Sequence, residues 1–435
     1  MRDTRTLTIL RDGLGAPNAI AQPRFHLKVV RGPDRRRELT CSEGRVLIGS
    51  APGAQLVLTD STVSAVHCEL RATEEGFLVR DLGAKNGVRL GGRRVKEAWL
   101  EAKDDLELGD SVVRFTLLEE EEQRPLSPQH TYAGLRGSSV KMRELYSQLE
   151  RAAATEMTVL IQGETGTGKE LVAGALVSEG RRKDRPFVVV DCGALSPTLA
   201  ESELFGHEKG AFTGANNAFA GAFERAHGGT LFLDEVGELP RDLQPKLLGA
   251  LERRQIQRLG GSAPKQVDVR VIAATHVELE RAVNAGTFRA DLFYRLAVIQ
   301  LRIPALRSRR EDIPELVAHF LAQLPGLPTL PAATLRRLCD ADYPGNVREL
   351  RHAVERAAAG LETAAPPAGL GAGTGIDLAV PYRLHKERVL GQFDHEYLKL
   401  LMDACEGNAS EAARRSGLSR VHLTTLLQRH GVGGR

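Results

Sequence analysis

Three stretches of different texture predict a multidomain chain: an all-β sandwich, then an α/β domain with a parallel sheet and a helical lid, then an all-α helix-turn-helix. From Arg24 to Leu118 the chain alternates short β-type runs with turn residues. Gly163–Glu170 reads GETGTGKE and lies between Val159–Gln162, an apolar run of strand character, and Leu171–Val177, which reads as a helix. Near the end, Gly417-Leu418-Ser419 forms a tight turn between two helical runs.

Composition sets the outer limits. The 435 residues suffice for two to four domains, and 42% hydrophobic with 26% charged residues describes an ordinary folded protein. No apolar run has the length of a membrane span, and Met1–Arg5 lacks a signal-peptide core, so a cytoplasmic location with no membrane partner is expected. The five cysteines are scattered without metal-type spacing, which fits reduced thiols. The net charge is +3, and residues 382–435 hold nine Lys/Arg against six Asp/Glu, so a nucleic-acid footprint is expected at that end.

In order along the chain, residues 1–23 carry no sustained period and read as a tail. Strands are expected at Phe25–Val30, Val46–Ile48, Leu56–Leu58, His67–Arg71, Phe77–Arg80 and Val112–Leu118, making a sandwich over 24–118. The acidic, proline-bearing stretch 119–131 reads as a linker. Residues 132–303 then alternate a helix at Val140–Ala153 with buried strands at Val159–Gln162, Phe187–Val190, Thr230–Leu233, Val269–Ala273 and Val298–Leu301. A mostly helical lid is expected over 304–361, an Ala/Gly/Pro-rich linker over 362–381, and the terminal helices over 382–435.

The chemistry concentrates in two places. A strand, a glycine-rich turn with lysine and a helix together make a phosphate-binding loop: glycines let backbone N–H groups converge on an anion, and the helix N-terminus adds its positive end. Gly163, Glu164, Thr165, Gly166, Thr167, Gly168, Lys169 and Glu170 form it, with Lys169 as the point charge and Glu170 where a Ser or Thr usually touches Mg2+. Gly229–Glu235 is an apolar strand ending in two carboxylates, and ligands in such folds sit at that end of the strands. Asp234 is the candidate Mg2+ ligand and Glu235 the candidate general base for attack of water on ATP, with arginine from a neighbouring subunit completing the site.

Several motifs in sequence order resemble one family. Glu203–Ala215 reads ELFGHEKGAFTGA, and its core, Gly210-Ala211-Phe212-Thr213-Gly214-Ala215, is similar to the signature loop of bacterial sigma-54-dependent transcription activators, which are AAA+ ATPases. The resemblance spans about residues 132–361 and includes the glutamate after Lys169, so Glu170 is normal there. It implies that Asp234 and Glu235 form the second ATP motif and that Thr275 lies in the first sensor, followed by His276 where an Asn is common. It further implies that Arg289 and Arg295 are arginine fingers reaching a neighbouring subunit, that Arg348 belongs to the second sensor, and that Gly260–Asp268 is a second pore-facing loop. Asp191 stands where many members have an Asn controlling the catalytic Glu. The implied partners are sigma-54 RNA polymerase, engaged by Phe212 and Thr213, and further copies of the chain in a ring, a hexamer.

Two further resemblances flank this one. Val46–Gly49, Ser64–His67 and Asp81–Gly87 resemble a forkhead-associated (FHA) domain, which implies that Ser64, Lys85 and Asn86 hold a phosphothreonine peptide and that His67 is structural. Ser50 replaces that family's phosphate-binding arginine, so a scaffold that binds protein without phosphate is the alternative reading. The C-terminal end is similar to a Fis-type DNA-binding domain, with Arg420, His422, Thr424 and Thr425 toward a groove and Arg414, Arg415 and Arg429 near phosphates. The whole then reads as an ATP-driven, DNA-tethered activator. The rival is a DNA-binding AAA+ repressor or adaptor uncoupled from sigma-54, against which the intact Gly210–Ala215 loop argues.

Overall fold

The computed structural model describes residues 6–361 apart from 14, 43, 195–196 and 327–328, together with 398, 401–402, 405, 408–416, 423 and 426–427. Residues 1–359 form one compact unit and 360–435 another.

The first part of unit one is a β-sandwich. Its strands are β1 (Thr8–Arg11), β2 (Pro17–Arg31), β3 (Glu38–Cys41), β4 (Arg45–Gly49), β5 (Leu56–Val57), β6 (Cys68–Thr73), β7 (Gly76–Asp81), β8 (Val88–Leu90), β9 (Arg93–Val95), β10 (Glu97–Leu100), β11 (Asp105–Leu108) and β12 (Ser111–Pro125). One sheet runs β1-β2-β12-β11-β8-β9 with β3 on β2, and the other β10-β7-β6-β4-β5. Alternate residues of both sheets fill one core, in which Phe25, Phe77 and Phe115 pack with ring centroids 5.2–5.6 Å apart.

Two sequence expectations change here. Residues 1–23 are not a loose tail: β1 and the first half of β2 lie within them, and Ile20, Ala21 and Gln22 are buried. Nor is 119–131 a free linker, because β12 continues to Pro125 and pairs with β2 as far as Ala19. The glutamates at 119–122 are solvated as their charge demands, but their backbone partner lies about a hundred residues earlier, where no local pattern can point to it.

The second part begins with the hairpin β13 (Thr131–Tyr132)–β14 (Leu135–Arg136) and continues through α1 (Val140–Ala153), β15 (Val159–Gln162), α2 (Lys169–Ser178), β16 (Phe187–Asp191), α3 (Pro197–Phe205), α4 (Ala222–Arg225) and β17 (Thr230–Asp234). It goes on through α5 (Gln244–Arg253), the hairpin β18 (Gln255–Gln257)–β19 (Pro264–Gln266), β20 (Arg270–Thr275), α6 (Leu279–Asn284), α7 (Ala290–Leu296) and β21 (Ile299–Arg302). The strands β16-β17-β20-β15-β21 form a parallel sheet in that order, so the C-terminal ends of β15, β17 and β20 share one edge. The lid is α8 (Ile313–Ala322), α9 (Ala332–Asp340) and α10 (Asn346–Ala358) around Leu316, Leu338, Leu350 and Val354.

The sandwich docks on α6 and α7. Leu47, Val66 and Leu82 join the core of the α/β domain. Asn284, at the end of α6, donates from Nδ2 to the carbonyls of Val66 (2.6 Å) and Leu82 (2.9 Å). The Tyr294 ring lies so close to Gly53 that a Cβ there would collide with it. Between the two parts sits an ionic cluster. Arg45 bonds Glu69 at 2.5 Å, Glu280 at 2.6 Å, and Gln300. Arg302 reaches Glu280 at 3.3 Å, and Gln162, the last residue of β15, donates to the same carboxylate at 3.2 Å. Glu69 and Glu280 are each 1% exposed at the side chain. Burial would raise Glu69's carboxyl, but Arg45, Arg71 and Arg302 outweigh it and bring it down to about 2. Glu280 is held below its ordinary range by Arg45 and Arg302 against the same burial.

In unit two, α11 (Ala409–Ser416) starts at Asn408, whose side chain accepts from the Glu411 N–H at 3.2 Å, and Leu398, Leu401, Cys405, Ala412, Leu423 and Leu427 cluster together. No helix among the described residues is long and apolar enough to cross a membrane.

Because Glu69 and Glu280 titrate below their ordinary value of 4.5 when folded, their contribution is complete above that value and fades as pH falls below it, for Glu69 toward about 2. Hydrogen exchange across β4 and α6 should therefore stay protected at pH 7 and loosen in that acid window. Glu280→Gln, which leaves Arg45 and Arg302 short of a carboxylate, should lower stability at pH 7 by about 3 kcal/mol in urea titration. Gly53→Val should expose α6 and α7 to exchange while the two cores stay protected.

Candidate functional site

The backbone of 163–168 can adopt its loop only because glycine stands at the tight points. Gly166 (φ 79°) and Gly168 (φ 102°) are in the left-handed region, and a Cβ on Gly166 would strike the Gly345 carbonyl of the lid. Gly168 caps α2, so Lys169 opens the helix whose N-terminus faces the loop. The Lys169 side chain is 8% exposed, and its Nζ donates to the Gly163 carbonyl at 3.3 Å and lies 3.0 Å from Glu235 Oε1. Thr167 closes the loop with a 2.7 Å bond to the Glu164 carbonyl, while Thr165 and Glu170 are exposed.

Asp234 ends β17 beside Asp191 of β16, and Glu235 follows with φ 48°, a strained conformation for that residue. Lys169 takes one Glu235 oxygen, and His276 takes the other with its backbone N–H (3.1 Å) and with Nδ1 (2.7 Å). The two neighbouring carboxylates are thereby pushed apart. Burial raises Asp234, helped by the charge of Glu235. Burial acts on Glu235 in the same sense, but the bonds from His276 and Lys169 outweigh it and keep the carboxyl below its ordinary range. Three carboxylates with Lys169 as the nearby cation suit a divalent ion brought by a nucleotide. Among the described residues no group of three or more His, Cys, Asp or Glu forms a metal cage, and an Mg2+ ion held by Asp234 would take further oxygens from the nucleotide's phosphates.

The lid closes on the loop from the other side. Arg348 donates its backbone N–H to the Gly166 carbonyl at 3.2 Å. Asn346 is buried at φ 56° and donates from Nδ2 to the Thr165 carbonyl and Glu164, each at 3.1 Å, while its Oδ1 accepts from Leu306 at 2.8 Å. Arg307 grips Glu164 with both guanidinium nitrogens.

The structure thus brings Gly163–Lys169, Asp234, Glu235 and Arg348 to one sheet edge. Thr275 is at that edge too, but it is fully buried and its hydroxyl accepts from Val277 N at 3.0 Å. His276 is the neighbour whose side chain meets Glu235, and sequence reasoning had it only as a departure from a pattern. Asn346, inside the second-sensor stretch, and Arg307 had been given no role; the signal at Asn346 is its positive φ and at Arg307 its pairing with Glu164, neither visible in sequence. The side chains of Arg289 and Arg295 bond outside the phosphate loop. Arg289 forms a two-pronged pair with Asp291 at 3.0 and 2.7 Å, and Arg295 donates to the Leu251 carbonyl at 3.0 Å.

The loop 206–215 follows α3. His207 pairs with Phe219 by backbone bonds of 3.1 and 2.9 Å, and its ring meets Phe212 edge-on at 5.0 Å. Gly210 N donates to the Ala215 carbonyl at 2.8 Å, closing the turn, and Gly210 (φ 82°) and Gly214 (φ 103°) permit it. Phe212 remains 42% exposed at the tip, Ala211 and Thr213 beside it. A Cβ on Gly260 would lie 2.9 Å from Ala211 Cβ, so the β18–β19 turn touches this loop.

On the sandwich, Ser64 Oγ accepts from Lys85 N at 3.1 Å, Asn86 Nδ2 donates to the Thr62 carbonyl at 2.7 Å, and His67 bridges Ser64 N (3.1 Å) and the Gly87 carbonyl (2.9 Å). The three predicted residues therefore share one turn cluster. Arg414 and Arg415 lie in α11, whereas Arg420, His422, Thr424, Thr425 and Arg429 fall outside the described residues, as does the 362–381 linker.

Comparison with known proteins places this geometry. The sigma-54 interaction domain matches residues 135–302, and the AAA+ ATPase lid domain matches 307–364. Residues 28–120 match the cytoplasmic domain of an inner membrane component of type III secretion. The chain is 43% identical over 328 residues to the DNA-binding transcriptional regulator NtrC of Azospirillum brasilense, covering 67% of this chain and 68% of that one. It is 42% identical over 313 residues to the transcriptional regulatory protein ZraR of Escherichia coli K12, covering 68% of each. Among solved structures, NtrX from Brucella abortus in complex with ATP is 36% identical with a TM-score of 0.52, over 70% of this chain and 71% of that one. With the P-loop, the paired carboxylates, the lid and the 206–215 loop all inside the matched regions, the chain belongs to the sigma-54-dependent transcriptional regulators, and its central domain is an AAA+ ATPase.

Proposed function

We propose that this regulator uses ATP hydrolysis to remodel the sigma-54 RNA polymerase closed complex, acting in the cytoplasm as a ring of its own copies, a hexamer, held at an upstream DNA site by its C-terminal helices. The observation that carries the reading is the placement of α3. The helix begins at Pro197, three positions beyond the Asp191–Ala194 turn beside Asp234 and Glu235, and ends at Phe205, where the loop bearing Phe212 and Thr213 starts. In the chain one helix thus lies between the turn beside the phosphate site and the sigma-facing loop, which supports a path from Glu235 to Phe212.

In this mechanism the Gly163–Lys169 backbone and Lys169 hold the phosphates, and Glu235 orients water and accepts its proton. Lys169 and His276 keep Glu235 ionised for that task. Mg2+ held by Asp234 would neutralise phosphate charge. Arg289 and Arg295 are exposed and bond outside their own phosphate loop, as suits groups serving a neighbour's nucleotide. Arg420, His422, Thr424 and Thr425 read DNA, with Arg414 and Arg415 on phosphates. The sandwich binds a phosphothreonine peptide at Ser64, Lys85 and Asn86. Asn284, which holds Val66 and Leu82 between those residues, passes occupancy to α6 and α7.

Thr213→Ala should hydrolyse ATP near the wild-type rate yet fail to capture sigma-54 with ADP–aluminium fluoride. Loss of hydrolysis together with capture would instead make the loop structural, and wild-type hydrolysis without capture would end the coupling reading. His276→Ala removes a hydrogen bond to Glu235 and should lower kcat about tenfold, close to 1.4 kcal/mol, with KM for ATP nearly unchanged.

A further inference from the structure

A phosphate group calls for a guanidinium, and the position after Gly49 offers only Ser50. Arg45 cannot serve, because it stands at the opposite end of β4 with its guanidinium committed to Glu69, Glu280 and Gln300. A different arginine lies at the site. Gly87 follows Asn86 with φ 70°, and a Cβ there would run into the Arg94 guanidinium, so that side chain lies flat against the turn. In the β8–β9 ladder Arg94 is directly opposite Arg89. Cross-strand neighbours leave the sheet on the same face, and like charges so placed repel unless something negative joins them. Glu107, opposite Arg89 on its other side, brings one carboxylate to this face, but its Oε1 accepts from Gly92 N at 3.1 Å and it forms no ion pair with either arginine. Among the described residues neither Arg89, Arg94 nor the Lys85 side chain has a hydrogen bond or ion pair.

We propose that Arg94, seconded by Arg89, supplies the phosphate-gripping guanidinium of the sandwich, taking a phosphomonoester on a threonine peptide whose backbone is held by Asn86. The proposal rests on the phosphothreonine reading above and names the residue that makes it workable without an arginine at position 50. The remaining donors belong to the same turn cluster. Ser64 Oγ accepts from Lys85 N and keeps its own hydrogen to donate, and Asn86, donating once to the Thr62 carbonyl, retains its carbonyl oxygen and a second N–H. Arg94 can present two parallel N–H groups to one phosphate, a geometry lysine lacks.

The test uses the full chain and a peptide library with fixed phosphothreonine and degenerate flanks, its unphosphorylated twin, and inorganic phosphate as competitor. Wild type should prefer the phosphorylated library. Arg94→Ala should weaken that binding at least tenfold with an unchanged melting curve, Arg94→Lys should recover only part of it, and Ser50→Arg added to Arg94→Ala should restore it. If wild type prefers the phosphorylated library and Arg94→Ala binds equally well, the assignment of Arg94 is overturned while the phosphothreonine reading stands. If wild type shows no preference, that reading falls and this one with it. If inorganic phosphate binds as tightly as the phosphorylated library, the site takes free phosphate and the peptide part is overturned.

Discussion

A carboxylate removed from water must be answered by cations or it destabilises whatever buries it, and Glu280 is where the two parts of the main unit answer one another. Its oxygens accept from Arg45 of the sandwich, from Arg302 at the end of β21, and from Gln162 at the end of β15. The residue after Gln162 is Gly163, the first of the phosphate loop. The charge that fixes how the sandwich sits is therefore one peptide bond from the nucleotide site. Such a cluster gives little net stability compared with an apolar replacement.

That arrangement bears on the motor. The sandwich covers α6 and the Tyr294 face of α7, and α7 carries Arg295 and begins next to Arg289. Asn284 satisfies two carbonyls flanking the Ser64–Asn86 turn cluster. A ligand at that cluster and the arginines of α7 are thus separated by a short run of packed backbone rather than by a flexible tether, since β2 and β12 pair through the connection as well.

Within the ATPase domain the same logic sets the electrostatics. Glu235 is ionised because Lys169 and His276 each take one of its oxygens, and Asp234, denied those partners, is raised by burial.

The sequence by itself determined the parts whose chemistry is contiguous. Gly163–Lys169 and Asp234-Glu235 each carry their own backbone requirement and reactive groups within a few residues, so order and spacing sufficed to place them, whereas Gly210–Ala215 was legible only by its resemblance to a family's loop. The alternation of apolar strands with helices likewise announced the parallel sheet, although its edge strand β16, expected buried, leaves Phe187 and Val189 exposed. The tertiary structure alone decided what depends on distant partners. Arg45 and Glu280 are 235 residues apart, β12 finds β2 across most of the sandwich, and Asn346 reaches Glu164 from the lid. It also decided between neighbours, turning Thr275 into the core and His276 onto Glu235. Side-chain direction at the end of a strand follows from the pleat and the packing around it, and a one-residue choice of that kind leaves no mark in composition or period.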